Sequence, residues 1–184
     1  MPILAAETSL FPGNLLDDFT AEVSDRRWWA VYTKSRQEKS LARQLLGMEI
    51  PYYLPLIPKL YSIGGRRVQS MLPLFGGYLF LYGTDEERSQ ALGTKRVAKS
   101  WVAADGEELA RDLKQIQALI ASGVPLTTEG RLQSGQRVRV KSGSLMGMEG
   151  VVLSRRGEHR LLVAVQFLQQ GVSVQINDYQ LEPI

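Results

Sequence analysis

Two short runs, Trp28-Trp29-Ala30-Val31-Tyr32 and Tyr78-Leu79-Phe80-Leu81-Tyr82, concentrate aromatic and branched side chains, which predicts strands. The second is apolar at every position, as a central strand covered on both faces would be. Val97 to Val102 reads as a further strand. Helical spacing appears elsewhere. Leu41, Ala42 and Leu45 share a face behind Ser35-Arg36-Gln37-Glu38, which fits a capping box with Ser35 as N-cap, and Gly47 supplies a stop. Thr84-Asp85-Glu86-Glu87 repeats that logic for a short helix ending near Gly93. Residues 107–121 form an amphipathic helix with Leu109, Leu113, Ile116 and Ile120 on one stripe.

Breakers punctuate these elements. Pro51, Pro55 and Pro58 exclude a central strand over 50–60 and favour an extended edge segment. Gly64-Gly65 marks a hairpin turn. Residues 132–184 are almost entirely strand and turn, with clean alternation in Gly171-Val172-Ser173-Val174-Gln175-Ile176. The order βαβββαβα followed by an all-β segment predicts an α+β chain: an α/β sandwich with a central antiparallel sheet over 26–122, a linker over 123–131, and a barrel of about five strands over 132–184. A piece of that size buries only about 60% of its unfolded surface, so the barrel is expected to be marginal and sensitive to partners.

Charge changes the picture at two places. The net +3 conceals a −5 block over residues 1–25 and a +8 block over 26–100. The basic block suits a polyanion. The first 25 residues lack a period and read as a mobile acidic tail; the alternative is that Leu10, Phe11, Leu15, Leu16 and Phe19 dock on a partner or on the chain's own basic face. They lack a secretory n-region, and no apolar run approaches the ~20 residues of a membrane span. With no cysteine there are no disulfides or thiolate metal sites, which is compatible with a reducing cytoplasm. An enzyme is not expected. The lone His159 falls in a turn, no nucleotide loop, metal-ligand cluster or nucleophile elbow is present, and the acidic pairs Glu86-Glu87 and Glu107-Glu108 sit at helix starts where the macrodipole favours acids. No cofactor is implied.

Val138-Arg139-Val140-Lys141-Ser142-Gly143-Ser144-Leu145-Met146-Gly147-Met148-Glu149-Gly150-Val151-Val152 sets two strand-like runs around a glycine-spaced corner and resembles the KOW motif. Upstream, Trp28 to Lys34 resembles the opening strand of the N-terminal (NGN) domain of NusG-type transcription factors. Pro73-Leu74-Phe75-Gly76-Gly77-Tyr78-Leu79-Phe80 resembles that domain's signature turn and central strand, and Thr94-Lys95-Arg96-Val97 the approach to its last strand. The order matches over 28–184, and the Pro73 to Phe80 block is most similar to specialised paralogues of the RfaH type. Departures are Gly76-Gly77 where the family has Pro or Asn, and one extra residue in 97–102, which a β-bulge would accommodate.

The resemblance implies an NGN-like domain followed by a small SH3-like KOW barrel. It implies a monomeric, non-catalytic elongation or antitermination factor that binds the clamp helices of bacterial RNA polymerase and bridges the DNA cleft. Carried onto this chain, the polymerase pocket uses Tyr32, Phe75, Tyr78 and Phe80, each of which would otherwise be ordinary core. Lys34, Arg36, Lys59, Arg66, Arg67 and Lys95 would face upstream or non-template DNA, or simply form a solvated face. Phe167 matches a contact residue through which the barrel reaches a ribosomal protein or termination factor. In RfaH that barrel refolds as a helical hairpin; the Val, Ile and Gly content here favours strands. The rival reading is an RNA-binding or ribosome-associated module using Arg137, Arg139, Lys141, Arg155, Arg156 and Arg160.

Overall fold

In the computed structural model, which describes residues 6–17, 25–176 and 181–184, strand pairing begins inside the expected tail. The first unit, Met1–Gly106, contains β1 (Leu10–Phe11), β2 (Arg27–Thr33), α1 (Glu38–Gly47), β3 (Tyr52–Tyr53), β4 (Leu56–Ile63), β5 (Arg66–Pro73), β6 (Tyr78–Gly83), α2 (Asp85–Gly93) and β7 (Val97–Val102). Five of the strands form one antiparallel sheet in the order β1-β3-β6-β2-β7, with β6 at its centre as its apolar run predicts. β4 and β5 pair only with each other, turning at Gly64 and Gly65, both in the left-handed region.

Alternation divides the sheet into two faces. Trp29, Val31, Leu79, Leu81 and Tyr52 pack on one side with Leu41, Ala42 and Leu45 of α1 and Ala91 of α2. The other side carries Trp28, Ala30, Tyr32, Tyr78, Phe80 and Tyr82, paired in register as Trp28–Tyr82, Ala30–Phe80 and Tyr32–Tyr78. The α2 capping box forms as expected, the Thr84 hydroxyl accepting from Glu87 N at 3.2 Å and the Glu87 carboxylate from Thr84 N at 2.8 Å. The box expected at Ser35 does not. α1 starts at Glu38 after Gln37, without a side-chain cap, because Arg36 takes a left-handed φ of 59° that breaks the capping geometry.

The acidic tail is corrected in its described part. Leu10 and Phe11 pair with Tyr53 and Tyr52, Leu54 N donates to Ser9 O at 2.7 Å, and Leu15 and Leu16 are buried. β1 thereby covers the β3 edge, which would otherwise present unpaired backbone groups. Glu7 pairs with Arg43, and Tyr52 donates to Thr8 O at 2.6 Å. Burial first, then the charge of Glu7, push the Tyr52 hydroxyl up to about 12, so it remains a donor across the physiological range. Phe19 lies outside the described residues.

The second unit, Glu107–Ile184, starts earlier than the expected boundary. It takes in nearly all of α3 (Gly106–Ser122), then β8 (Thr127–Glu129), β9 (Arg137–Val140), β10 (Glu149–Arg155), β11 (Glu158–Val165), a 3-10 turn over Gln166–Leu168, β12 (Gln170–Gln175) and β13 (Leu181–Pro183). The strands form one antiparallel sheet of six in the order β13-β9-β10-β11-β12-β8, not five, because the expected linker contributes β8. Glu129, at the end of β8, is buried and accepts from Arg155 at 3.0 and 3.1 Å and from the Ser173 hydroxyl at 2.6 Å. Such a buried carboxylate is tolerable only with these partners. α3 joins the unit through side chains that accept from strand and turn backbone: Gln115 from Glu149 N at 2.7 Å and Asp112 from Gln166 N at 2.9 Å.

The glycine corner behaves as its spacing suggests. Gly143 and Gly147 adopt φ of 87° and 85°, and a Cβ at Gly150 would collide with the carbonyl oxygen of Leu162 on the neighbouring strand.

Candidate functional site

Three loops of the first unit converge at one end of its sheet. Thr33 N donates to Gly77 O at 2.7 Å and Lys34 N to Arg96 O at 2.8 Å, so the chain leaving β2 runs between the 75–77 turn and the 94–96 loop. Gly77 N in turn donates to the Glu38 carboxylate at 2.8 Å, and the Arg96 guanidinium donates to the Ser40 hydroxyl at 2.6 Å. Glu38, expected to cap its own helix, instead fixes the turn. Gly77 has φ 85°, and the Tyr32 ring lies where its Cβ would be, 2.5 Å from Cε2. Gly77 is therefore a close-packed position that a Cβ would disturb.

Over this turn Tyr32 and Tyr78 form an aromatic pair, ring centroids 5.1 Å apart and tilted 54°. Tyr32 is 40% exposed and Tyr78 half-buried. The other two expected pocket residues lie beneath. Phe75 is 2% and Phe80 0% exposed, Phe80 being enclosed in the sheet by Ala30 on one side and Tyr53 on the other. Both are therefore core residues, the alternative that stood beside the pocket role for each.

Register adds two residues that the sequence reading passed over. Tyr32 faces Lys99 and Ala30 faces Trp101, whereas Thr33 faces Val97, leaving Ala98 as the extra residue of the expected bulge. The bulge lets Val97 pack into the helix-side core while Lys99 and Trp101 join the tyrosine face. Trp101 is 42% exposed. Without the bulge, Val97, Lys99 and Trp101 would share one face, so period-2 reading misassigns them.

Of the six expected nucleic-acid contacts, Lys34, Arg36 and Lys95 are exposed and gathered at this end, by the Lys34–Arg96 backbone bond and the Glu38–Gly77 tie. Arg36 and Lys95 both hold left-handed φ, 59° and 60°, as do Glu49, Arg156 and Gln169 elsewhere in the chain. Lys59, Arg66 and Arg67 are also exposed, but on the β4–β5 ribbon. Arg66 pairs opposite Ile63 and Arg67 opposite Ser62, so the two arginines point to opposite faces.

Residues 26–109 match the family model of NusG, described as "Transcription termination factor nusG". That match supports a transcription factor of the NusG type. It covers every strand of the five-stranded sheet except β1, the tyrosine pair, the ribbon and all three converging loops, and it stops before the six-stranded sheet. No curated protein matches the chain.

In the second unit Phe167 sits in the 3-10 turn, 37% exposed. His159, expected in a turn, is exposed near the start of β11. Among the six basic residues of the RNA-binding alternative, Arg139 pairs with Glu149 and Glu182, Arg155 with Glu129, and Arg160 donates to Ser173 and Thr127. Half of that basic set is thus engaged within the unit.

Proposed function

We propose that the protein is a cytoplasmic elongation or antitermination factor, a specialised paralogue of the RfaH type, that docks on the clamp helices of bacterial RNA polymerase. In this reading the exposed Tyr32–Tyr78 pair, extended by Trp101, is the polymerase contact, with Phe75 and Phe80 shaping it from beneath. Lys34, Arg36, Lys95 and the ribbon residues Lys59, Arg66 and Arg67 lie along upstream or non-template DNA. The second unit acts as a KOW barrel that recruits a ribosomal protein or termination factor through Phe167. The observation that carries the reading is a partly exposed aromatic pair, at the sheet end that also carries the exposed Lys34, Arg36 and Lys95, inside the segment that matches the NusG family model.

Docking of this kind needs no bond chemistry. Tyrosines give large contact area at low conformational cost and are frequent interface anchors, with truncation typically costing about 2 kcal/mol or more, roughly thirtyfold in affinity. The test is binding to a bacterial RNA polymerase elongation complex by the parent and by Tyr32→Ala and Tyr78→Ala. These substitutions remove partly exposed rings, whereas Phe75→Ala or Phe80→Ala would open a core cavity worth about 3–5 kcal/mol and confound the result. Loss of affinity in the tyrosine variants, with folding intact, is expected. Undiminished binding would remove the pocket, and no binding by the parent would remove the polymerase reading.

A further inference from the structure

The β4–β5 ribbon has an unusual surface for an element standing outside both larger sheets. The register places Lys59, Tyr61 and Ile63 of β4 on the same face as Ser70, Val68 and Arg66 of β5. Ile63 is 66% exposed, and Tyr61 and Val68 are exposed beside it. A continuous apolar strip therefore runs along this face with a cation near each end, and Lys59 Nζ lies 5.3 Å from the Tyr61 ring centroid. Between Glu49 and Asp85 the chain has no acidic residue at all, only Lys59, Arg66 and Arg67.

We propose that this face is a wedge that enters duplex DNA and opens a base step, a sharper form of the DNA contact proposed above, on which it rests. Charge complementarity names a polyanion, because an acid-free cationic ribbon repels no phosphate. The apolar strip then asks for an apolar surface within that polyanion, and stacked bases supply it. The residue types favour a wedge over a single-strand platform. Isoleucine and valine cannot stack flat on successive bases as aromatic rings do, but aliphatic side chains are the usual wedges between base steps. The five residues from Lys59 to Ile63, opposite Arg66, span about 13 Å. Lys59 and Arg66 can thus hold phosphates on either side of the opened step while Ile63 and Val68 face the bases.

The experiment uses the full chain and a forked DNA duplex carrying 2-aminopurine at the junction, at low salt. Anisotropy reports binding, and 2-aminopurine fluorescence reports unstacking. The parent is expected to bind and to raise the fluorescence. Ile63→Thr and Val68→Thr, which keep β-branching so that the ribbon persists, should bind yet lose the rise. Arg66→Gln should weaken binding and reduce the log–log salt slope by about 1. Binding by the parent without a rise, or a rise that persists in the Ile63→Thr/Val68→Thr double variant, overturns the wedge and leaves the DNA contact standing. Affinity and salt slope unchanged in Arg66→Gln/Arg67→Gln, or no binding by the parent, removes the DNA contact and the wedge together. If the threonine variants leave both DNA readouts intact and lose only polymerase affinity, the strip is a protein-docking surface and the proposal is wrong.

Discussion

At the scale of single residues, backbone conformation carries much of what is special here. Gly77→Ala puts a Cβ into the Tyr32 ring at a left-handed φ, for which a cost of about 1–3 kcal/mol is expected in chemical denaturation, with weaker polymerase binding as Tyr32 is displaced. Lys95 offers the opposite test. Lys95→Gly should be about 1 kcal/mol more stable than Lys95→Ala, since only glycine holds φ 60° without strain. Both should lose DNA affinity equally if the ammonium is what binds; equal stabilities would show that no strain is stored there. Ser35→Ala should leave the melting temperature unchanged, because Ser35 caps no helix in this fold. None of these three is legible from residue type alone. Ser35-Arg36-Gln37-Glu38 is a sound capping signature until Arg36 turns left-handed and Glu38 finds Gly77 N.

At the scale of elements, the tie between α3 and the second unit has a pH signature. Burial pushes the Asp112 carboxyl up to about 6, opposed by the Gln166 N–H it accepts, with Glu108 raising it further and Arg111 lowering it. The folded state therefore holds the proton more tightly than the unfolded chain, whose aspartate titrates near ~3.9. Stability is highest below that value and falls as pH rises through the window to about 6, by roughly 1–2 kcal/mol once solvent screening of a partly exposed group is allowed for. Asp112→Asn, which keeps an acceptor for Gln166 N, should flatten this dependence in thermal melts between pH 4 and 7 and melt higher at pH 7. An unchanged slope would mean that Asp112 titrates normally. The amphipathic stripe predicts the helix correctly, yet its unit is decided by Asp112 and Gln115, polar positions that periodicity ignores.

At the scale of the whole molecule, the charge asymmetry sets the expected behaviour toward nucleic acid. If about three of the exposed cations contact phosphates, the log–log salt dependence of DNA binding should have a slope of roughly 2 to 3 in magnitude. Titration across several salt concentrations measures it, and a flat response would reduce the basic block to a solvated face. The −5 block does not act as a separate polyelectrolyte throughout. Its described part is a strand on the first sheet, with Glu7 bound to Arg43. Two residues are too few to show a strand period, so that pairing could not be read in advance.

The strong elements are legible in the chain: the aromatic strands β2 and β6, the Thr84 capping box, the Gly64-Gly65 hairpin and the glycine corner before β10. Each depends on local preferences that neighbouring residues already express, namely side-chain shape, capping oxygens and access to positive φ. Tertiary structure alone decided which aromatics face outward, that β1 and β8 join sheets, and that Glu38 holds a turn in place of a helix end. Those outcomes depend on groups far apart in the chain competing for the same donors, edges and burial, and the favoured pairing exists only once the strands are in register.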